Sequence, residues 1–402
     1  MIVRLEEASA TQEIAMPRAL ALELMRLRVA DVQPTVRDDS WLVTSVRRIG
    51  GFRLGRDEVL ISPKVPIRSL MFMLGFGEAQ VAWRDESISA DESDDFATVV
   101  ATTLVRLTSA ATRNGVMRGY RSVEVAEPTI RGRWDVSRQL RSRPGQPIPV
   151  ELTYDDFTSD IPENRILLTA LMRLLALGSL PQHVRNALLA LRRIFVGVSE
   201  VSRGVAPPAV VISRLNRHYE SALSLARLVL NDSSLEHELG GATGTGFLVT
   251  MSTLFEQFVS QTMRRAATSL NHDLALQDSS DLDVEGIVQI RPDLVLRRGG
   301  TVVGVADAKY KLEKPSGFPN ADVYQALTYA VSHGLSEAHL VYAKGESPTG
   351  RIFVGSADVA IVRHALDLDL PPAALVRQVE SLVEAMLETP QTRLTSALAA
   401  LP

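Results

Sequence analysis

Three charged residues in the C-terminal part of the chain have the types and the spacing of a metal site. Asp293 follows Pro292, and after a short apolar run Asp307 and Lys309 stand two residues apart. Side chains of a β-strand alternate between its two faces, so Asp307 and Lys309 should point the same way. Two carboxylates and an ammonium on one face suit a divalent cation held over a phosphodiester.

The lysine is unusual in this chain. Only five of the 43 lysines and arginines are lysines, and three of them (Lys309, Lys311 and Lys314) lie within six residues. In a chain that otherwise uses arginine, we infer that Lys309 has a specific role. Spacing alone leaves a second interpretation open, in which Asp307 and Lys309 form an ordinary strand end with a surface ion pair.

The relative position of the two aspartates depends on the turn between their strands. If residues 299–301 form a three-residue loop, Arg298 pairs with Val302 and Asp293 lies opposite Asp307, with Cβ atoms about 5 Å apart. A two-residue glycine loop would instead put the acids on opposite faces of the hairpin. The metal site therefore requires a register in which both acids share a face.

Three other residues could complete the site. Glu256 lies among apolar neighbours on a predicted helix, 247–269, and a buried carboxylate needs a partner such as a cation. Gln325 and Tyr329 are i, i+4 neighbours on a predicted helix, 320–333, and could hydrogen-bond to Lys309 or to the substrate backbone. Each of these residues alone also has an ordinary structural explanation.

Composition narrows the class of protein. The 402 residues exceed one comfortable core, so two or three domains are expected. The absence of cysteine excludes disulfides, thiolate zinc sites and cysteine nucleophiles, and the seven histidines show no metal-ligand spacing. No apolar run approaches the ~20 residues of a membrane helix. Acids stand where a signal peptide would need an apolar core, so we expect a cytoplasmic protein without a membrane partner.

Positive charge is concentrated in one segment of an acidic chain. The net charge is −4, yet residues 101–150 hold nine arginines against three acids, a local charge of +6. Such a segment is either a phosphate-binding surface or a solvated, acid-paired face, and both readings stay open. Within it, Arg118, Arg121, Arg131 and Arg133 are candidates for contacts with DNA or with a partner protein.

Apolar and turn residues predict a multidomain α+β protein of three regions. Residues 1–94 contain short strand-like runs and form a β-rich N-terminal domain, while helical spacing dominates the middle region, 95–240. Residues 247–402 interleave helices and strands, as expected for a C-terminal α/β domain with a mixed central sheet. The glycine-rich run 240–246 lacks the Gly-Lys-Ser/Thr of a phosphate loop and is expected to be a flexible joint.

The ordered motifs resemble a known family. Glu256, Pro292-Asp293, Asp307-Ala308-Lys309, Gln325 and Tyr329 resemble the PD-(D/E)xK nuclease superfamily, in its branch with a Gln-x-x-x-Tyr helix. Matches elsewhere resemble McrC, the nuclease subunit of the McrBC modification-dependent restriction system. They are the segments 63–67 and 70–74, Arg118-Gly119-Tyr120, Arg131-Gly132-Arg133, and 154–160 running into 163–167.

The resemblance implies a function and its residues. McrC-like proteins dock through their N-terminal half on McrB, a separate GTP-driven AAA+ ring that recognises modified DNA, and they stimulate its GTP hydrolysis and cut double-stranded DNA. By this resemblance, residues 1–94 dock the partner, and residues 247–402 form an endonuclease-like domain that uses Mg²⁺ or Mn²⁺. Asp293 and Asp307 would be metal ligands, with the Ala308 carbonyl and Glu256 as further ligands, and Lys309 would be the catalytic lysine. The chain has no nucleotide site of its own.

Two alternatives to this function remain. One is an adaptor that assembles and stimulates an NTPase and cuts weakly or not at all. The other is an unrelated nuclease of the same superfamily that acts alone. The first predicts that loss of Lys309 leaves the main activity intact, and the second predicts cleavage by the isolated chain without any nucleotide.

Overall fold

The computed structural model describes residues 1–7, 10–44, 46–78, 95–202, 204–230, 244–312, 320–344 and 349–388. It shows a mixed α/β, multidomain protein that divides into two units. Residues Met1–Ser62 and Trp83–Val249 form the first unit, and residues Pro63–Ala82 and Thr250–Pro402 form the second. This division differs from the predicted three regions, because the N-terminal strands share a sheet with a strand near residue 247.

Strands account for much of the described chain. They are β1 (Ile2–Glu6), β2 (Gln12–Ala15), β3 (Asp31–Pro34), β4 (Ser40–Thr44), β5 (Arg48–Leu54), β6 (Asp57–Ser62), β7 (Gly119–Glu127), β8 (Arg133–Trp134), β9 (Val150–Thr158), β10 (Gly244–Thr250), β11 (Asp273–Leu276), β12 (Ser280–Asp281), β13 (Gln289–Ile290), β14 (Leu294–Arg298), β15 (Thr301–Leu312), β16 (Glu337–Lys344), β17 (Thr349–Val354) and β18 (Val359–Ala365).

Helices cover a comparable share. They are α1 (Arg18–Arg26), α2 (Ile67–Glu78), α3 (Phe96–Ala111), α4 (Val136–Ser142), α5 (Pro162–Leu175), α6 (Gln182–Ile194), α7 (Glu220–Leu230), α8 (Met251–Ser269), α9 (Asn320–Ser332) and α10 (Pro372–Glu388). No helix among the described residues is long and apolar enough to cross a lipid bilayer.

The first unit is built on a four-stranded sheet of order β1-β6-β5-β10. β1 runs parallel to β6 and alternates buried with exposed residues, so that Val3 and Leu5 enter the core. Leu20 and Leu24, one helical turn apart on α1, pack into the same core. Helix α1 lies within the region that the sequence analysis interpreted as strand-rich.

A three-stranded sheet of order β7-β9-β8 lies in the region predicted to be mainly helical. β7 and β9 pair antiparallel along their full length, from Gly119 opposite Thr158 to Glu127 opposite Val150. No residue of β7 is fully buried, and its positions alternate only between half-buried and exposed. The apolar alternation by which a strand is recognised in a sequence is therefore weak in β7.

Part of the glycine-rich run belongs to a strand. Residues 244–246 begin β10, which pairs with β5, so the predicted flexible joint is wrong for them; residues 240–243 lie outside the described residues. A Cβ atom on Gly246 would collide with the backbone of Gly51 and Phe52 in β5. Glycine is needed here because the two strands approach too closely for a side chain.

The second unit is built on a six-stranded sheet of order β11-β14-β15-β16-β18-β17. β15, β16 and β18 run parallel, and the remaining pairs are antiparallel, so the sheet is mixed as predicted. On one face, Val305, Leu340 and Ile361 pack against Ala326 and Ala330 of α9. α9 and β16 match the predicted helix 320–333 and strand 338–343, whereas α8 begins at residue 251 instead of 247.

We expect Gly246→Ala to destabilise the protein by about 1–3 kcal/mol, because the added methyl group forces β10 away from β5. Urea unfolding followed by circular dichroism measures this change. Gly355→Ala is the matched control, because a Cβ there meets only an ordinary contact with Phe353 at 3.8 Å. Equal stability of the Gly246→Ala variant and the unsubstituted chain would contradict the close approach.

Candidate active site

The hairpin of β14 and β15 decides where the two aspartates lie. Its loop is the two-residue Gly299-Gly300, with φ of 57° and 88°, and Arg298 pairs with Thr301. The three-residue loop considered from the sequence is therefore wrong. Farther from the loop in the same hairpin, however, the register shifts by one residue, so that Leu296 pairs with Gly304 and Leu294 with Ala306.

A β-bulge at residue 303 causes this shift. An extra residue on one strand of a pair changes the register by one position, and side chains beyond it change face relative to the partner strand. The bulge thus reverses the effect of the shorter loop. Continuing the register beyond Leu294 and Ala306 puts Asp293 opposite Asp307, which is the shared face that the metal site requires.

Asp293, Asp307 and Lys309 come together at this end of the hairpin. Asp293 Oδ2 accepts a hydrogen bond from the Ala308 backbone N–H at 3.0 Å. The Lys309 ammonium forms an ion pair with Asp307 Oδ2. Asp307 is 2% exposed, and this oxygen is buried and accepts no hydrogen bond of ordinary geometry from the described residues. The Lys309 ammonium is therefore the charge partner of this oxygen, and a bound cation would share the Asp307 carboxylate with it.

Charge repulsion and burial shift the protonation equilibria of the cluster. Burial, and then the negative charge of Asp307, raise the pKa of Asp293 to about 6, against the opposing Ala308 N–H and Lys309. Burial alone would lower the pKa of Lys309, but the carboxylates of Asp307, Asp293 and Asp322 outweigh it and raise this pKa above its ordinary value. The lysine is therefore an ammonium at neutral pH.

Glu256 does not join the two aspartates. No three carboxylate, histidine or cysteine side chains within the described ranges lie close enough to hold one metal ion. Glu256, on α8, instead accepts a hydrogen bond from the Gln277 side chain at 2.9 Å. The role predicted for Glu256 as a metal ligand therefore has no direct geometric support, and its connection to the site runs through Gln277.

Gln325 and Tyr329 form the i, i+4 pair predicted from the sequence, and they act on the turn that carries Asp293. Gln325 donates a hydrogen bond to the Tyr329 hydroxyl at 2.7 Å, and this hydroxyl donates to the Arg291 carbonyl at 3.2 Å. The predicted hydrogen bond from this pair to Lys309 is not seen in the described structure. Burial and then the charge of Asp307 raise the pKa of Tyr329, so it stays a neutral donor.

Two residues near the site were not identified from the sequence. Gln277 follows β11 and donates its backbone N–H to the Asp293 carbonyl at 2.9 Å. Asp322, 4% exposed at the start of α9, accepts a hydrogen bond from the Tyr342 hydroxyl at 3.2 Å. Gln277 directly follows a short strand, and Asp322 is an acid of the kind commonly found in the first turn of a helix. No sequence pattern distinguishes them from structural residues.

The donor set fits a hard divalent cation such as Mg²⁺. Two adjacent carboxylates, Asp293 and the nearly buried Asp307, offer negative charge, and among the described residues no third metal-binding side chain joins them. Mg²⁺ commonly uses one or two carboxylates and keeps several waters. A cation here would also relieve the repulsion that raises the pKa of Asp293.

The candidate arginines of the first unit are mostly held by intramolecular partners. Arg121 forms an ion pair with Asp160, whose pKa is held well below its ordinary range, mainly by its hydrogen bonds with Arg165. The Arg118 guanidinium lies 4.8 Å from the centre of the Phe157 ring. Arg131 lies 4.0 Å from the centre of the Tyr154 ring and 3.1 Å from Glu127, and Arg133 is exposed on β8.

A histidine pair lies in the same sheet as the aspartates. His339 on β16 and His364 on β18 approach each other at 3.0 Å, Nδ1 to Nε2, with stacked rings. Burial and then the neighbouring ring lower the pKa of His339 to about 3, and burial lowers that of His364 to about 4. Both rings are neutral at pH 7, so one donates and the other accepts a proton.

The second unit is therefore a mixed α/β domain whose sheet holds two neighbouring aspartates and a lysine at one hairpin. The family model for the McrBC 5-methylcytosine restriction system component matches residues 44–343. The match covers well over half of the chain, and the chain belongs to this family.

Two solved structures are similar to this chain, and the first of them supports the fold. McrC bound to McrB AAA+ hexamers, in the tetradecameric assembly of Thermococcus gammatolerans, is similar over 96% of this chain and 100% of that chain, with a TM-score of 0.63 and 18% identity. A cryo-EM structure of the McrBC complex from the same organism is similar over 66% of this chain and 88% of that one, with a TM-score of 0.43 and 20% identity. No curated protein matches the chain.

We expect Tyr329→Phe to destabilise the protein by about 1 kcal/mol, because the hydrogen bonds to Arg291 and from Gln325 are lost inside the protein. Urea unfolding measures the change. Tyr324→Phe is the matched control, since Tyr324 is on the same helix and is 64% exposed. Indistinguishable effects of the two substitutions would contradict the role assigned to the Tyr329 hydroxyl.

We expect acid to destabilise the histidine pair. Both folded pKa values lie below the ordinary 6.5, so the unfolded chain binds protons that the folded chain does not. This stability is present above about pH 6.5 and is lost as the pH falls, by about 2 kcal/mol for each ring between pH 7 and pH 5. Urea unfolding at the two pH values measures it.

The double substitution His339→Leu with His364→Leu should flatten this part of the pH profile. A double variant with the same loss between pH 7 and pH 5 as the unsubstituted chain would show that other groups cause it.

Proposed function

We propose that this protein is the Mg²⁺-dependent DNA endonuclease subunit of an McrBC-like restriction complex, and that its second unit is a PD-(D/E)xK nuclease domain. The observation that carries the proposal is the convergence of Asp293, Asp307 and Lys309 at one end of the β14–β15 hairpin. Tyr329 adds support through its hydrogen bond to the Arg291 carbonyl on the turn that carries Asp293, and Gln325 holds the Tyr329 hydroxyl. Glu256 is linked to this turn only through Gln277.

The chain's own residues position the reacting groups. The backbone N–H of Ala308 fixes the Asp293 carboxylate, and the bulged register fixes Asp307 beside it. The Lys309 ammonium lies next to both carboxylates, where it can orient a water molecule and stabilise negative charge that develops on the phosphate. Asp293, Asp307 and the Ala308 carbonyl would hold Mg²⁺ or Mn²⁺, with Glu256 at most an indirect participant.

A bound cation would lower the pKa of a coordinated water and neutralise phosphate charge. Because magnesium retains several of its waters, two carboxylates are a sufficient protein contribution. Burial of Asp307 keeps bulk water from competing for the same carboxylate.

A separate motor protein completes the proposal. The similar McrC from Thermococcus gammatolerans is bound to McrB AAA+ hexamers, and the likeness extends over 96% of this chain. We propose that this chain likewise binds an McrB-like AAA+ GTPase, stimulates its GTP hydrolysis and cuts double-stranded, modified DNA. The sequence has no Gly-Lys-Ser/Thr phosphate loop in the glycine-rich run, so nucleotide hydrolysis is assigned to the partner.

We expect Asp293→Ala and Lys309→Ala to reduce DNA cleavage by at least about a thousandfold, because Asp293 would hold the cation and Lys309 stabilises the charge that develops on the phosphate. The assay is cleavage of methylated plasmid DNA by the chain together with its AAA+ partner, GTP and Mg²⁺. Asp273→Ala is the control, since Asp273 is an exposed acid on β11 of the same sheet. Retained cleavage in either site variant would refute the assignment.

The same variants separate the alternative functions. GTP hydrolysis stimulated by the Lys309→Ala variant should equal that of the unsubstituted chain if cutting and stimulation are separate activities. An unsubstituted chain that stimulates the partner and never cuts is an adaptor. Strong cleavage by the chain alone, without nucleotide, identifies a nuclease that acts independently.

A further inference from the structure

Arg291 lies two residues before Asp293, and its guanidinium is held in place by one residue, Gln277. Arg291 Nε donates to the Gln277 backbone carbonyl at 3.1 Å, and Arg291 Nη2 donates to Gln277 Oε1 at 2.9 Å. The backbone carbonyl of Arg291 accepts the Tyr329 hydroxyl. Both the backbone and the guanidinium of this exposed arginine are thereby fixed next to the candidate metal site.

The partners of Arg291 leave its charge unneutralised. They are a carbonyl and an amide oxygen, and the described part of the chain offers it no carboxylate partner. Other arginines of the same unit do pair with acids, as Arg297 does with Asp278 at 2.6 Å. An exposed, pre-oriented guanidinium with its full positive charge is well suited to a phosphate oxygen.

Gln277 is specifically suited to separate this charge from a nearby acid. Its amide nitrogen donates to Glu256 and its amide oxygen accepts from Arg291, so the amide lies between a carboxylate and a guanidinium. A side chain with a single type of hydrogen-bonding group could not satisfy both neighbours. Without this amide, Glu256 and Arg291 would be free to pair and cancel each other's charge.

The backbone of Gln277 also departs from strand geometry. Its φ is 48°, in the left-handed region that a residue other than glycine seldom adopts. Four hydrogen bonds of this residue accompany that conformation: two donated, to Asp293 and Glu256, and two accepted from Arg291. Such backbone conformations persist where the surroundings fix them, and they concentrate at functional sites.

We propose that Arg291 binds a phosphate of the DNA backbone beside the Asp293–Asp307 pair, and that Gln277 is the positioning residue that holds the guanidinium there. The proposal rests on the proposed function only in its choice of DNA as the ligand. The contacted phosphate would belong to the DNA strand being cut or to the DNA strand beside it, because Arg291 and Asp293 are two residues apart on one turn. A contact of this kind adds affinity and register without reading the sequence of bases.

The test is the salt dependence of DNA binding by the full-length chain. A fluorescein-labelled, unmodified DNA duplex is titrated by fluorescence anisotropy over a range of salt concentrations, with Ca²⁺ in place of Mg²⁺. In Arg291→Ala, the slope of log K against log salt should be shallower by about 1, which is the loss of one phosphate contact. The affinity at low salt should fall about tenfold, as expected for a hydrogen bond to a charged group.

Two further variants make the test specific. Arg298→Ala removes the same charge at the loop end of the hairpin and should leave the slope unchanged. Gln277→Glu keeps Arg291 but neutralises it with a carboxylate, so its slope should change as in Arg291→Ala, which a merely structural role of Gln277 would not produce. Circular dichroism and thermal unfolding establish that each variant is folded.

An unchanged slope in Arg291→Ala would overturn the proposal, and so would an unsubstituted chain that does not bind the duplex. An unchanged slope with reduced cleavage would show that Arg291 only supports the turn that carries Asp293. Failure of the proposed nuclease function is distinguishable from this, because it appears as retained cleavage in Asp293→Ala and leaves the binding slopes unaffected.

Discussion

The second unit depends on keeping two carboxylates next to each other inside the protein. Burial disfavours the charged form of Asp293, and repulsion by Asp307 adds to the free-energy cost, which is why the pKa of Asp293 is raised to about 6. The ammonium of Lys309 and the backbone N–H of Ala308 offset part of that cost. The turn that carries Asp293 is then held by Gln277 on one side and by Tyr329 on the other.

The arginines of the first unit show why local charge is a weak guide to nucleic-acid binding. Part of the excess in residues 101–150 is neutralised by two acids that follow this segment in the sequence and are close to its arginines in the fold. Arg138 contacts Glu151 at 2.9 Å, Arg143 contacts the same carboxylate at 3.2 Å, and Arg121 pairs with Asp160. Glu151 and Asp160 lie beyond the counted window, so a window of sequence overstates the free charge. The exposed Arg133 remains a candidate for contact with DNA or a partner.

The sequence predicted best where local pattern and tertiary contacts agree. Helix α9 and strand β16 were recognisable because their apolar residues repeat with the period of the element. β7 was not recognised because none of its residues is fully buried, and residues 244–246 were misread because a glycine cluster indicates flexibility as readily as close strand packing. The alternation of side chains along a strand placed Asp307 and Lys309 on the same face. Their link to Glu256 runs through Gln277, and the contact between Gln277 and Glu256 joins residues 21 apart in sequence.

The bulge at residue 303 has a consequence for how this site is recognised in other chains. A two-residue loop with one bulged residue places the acids as a three-residue loop without a bulge would. The geometry therefore sets the number of residues between the acids, and it does not require the extra residue to stand at one particular place in the hairpin. Two relatives with equal spacing can differ in loop conformation, and an insertion in the loop is harmless when a deletion at the bulge accompanies it.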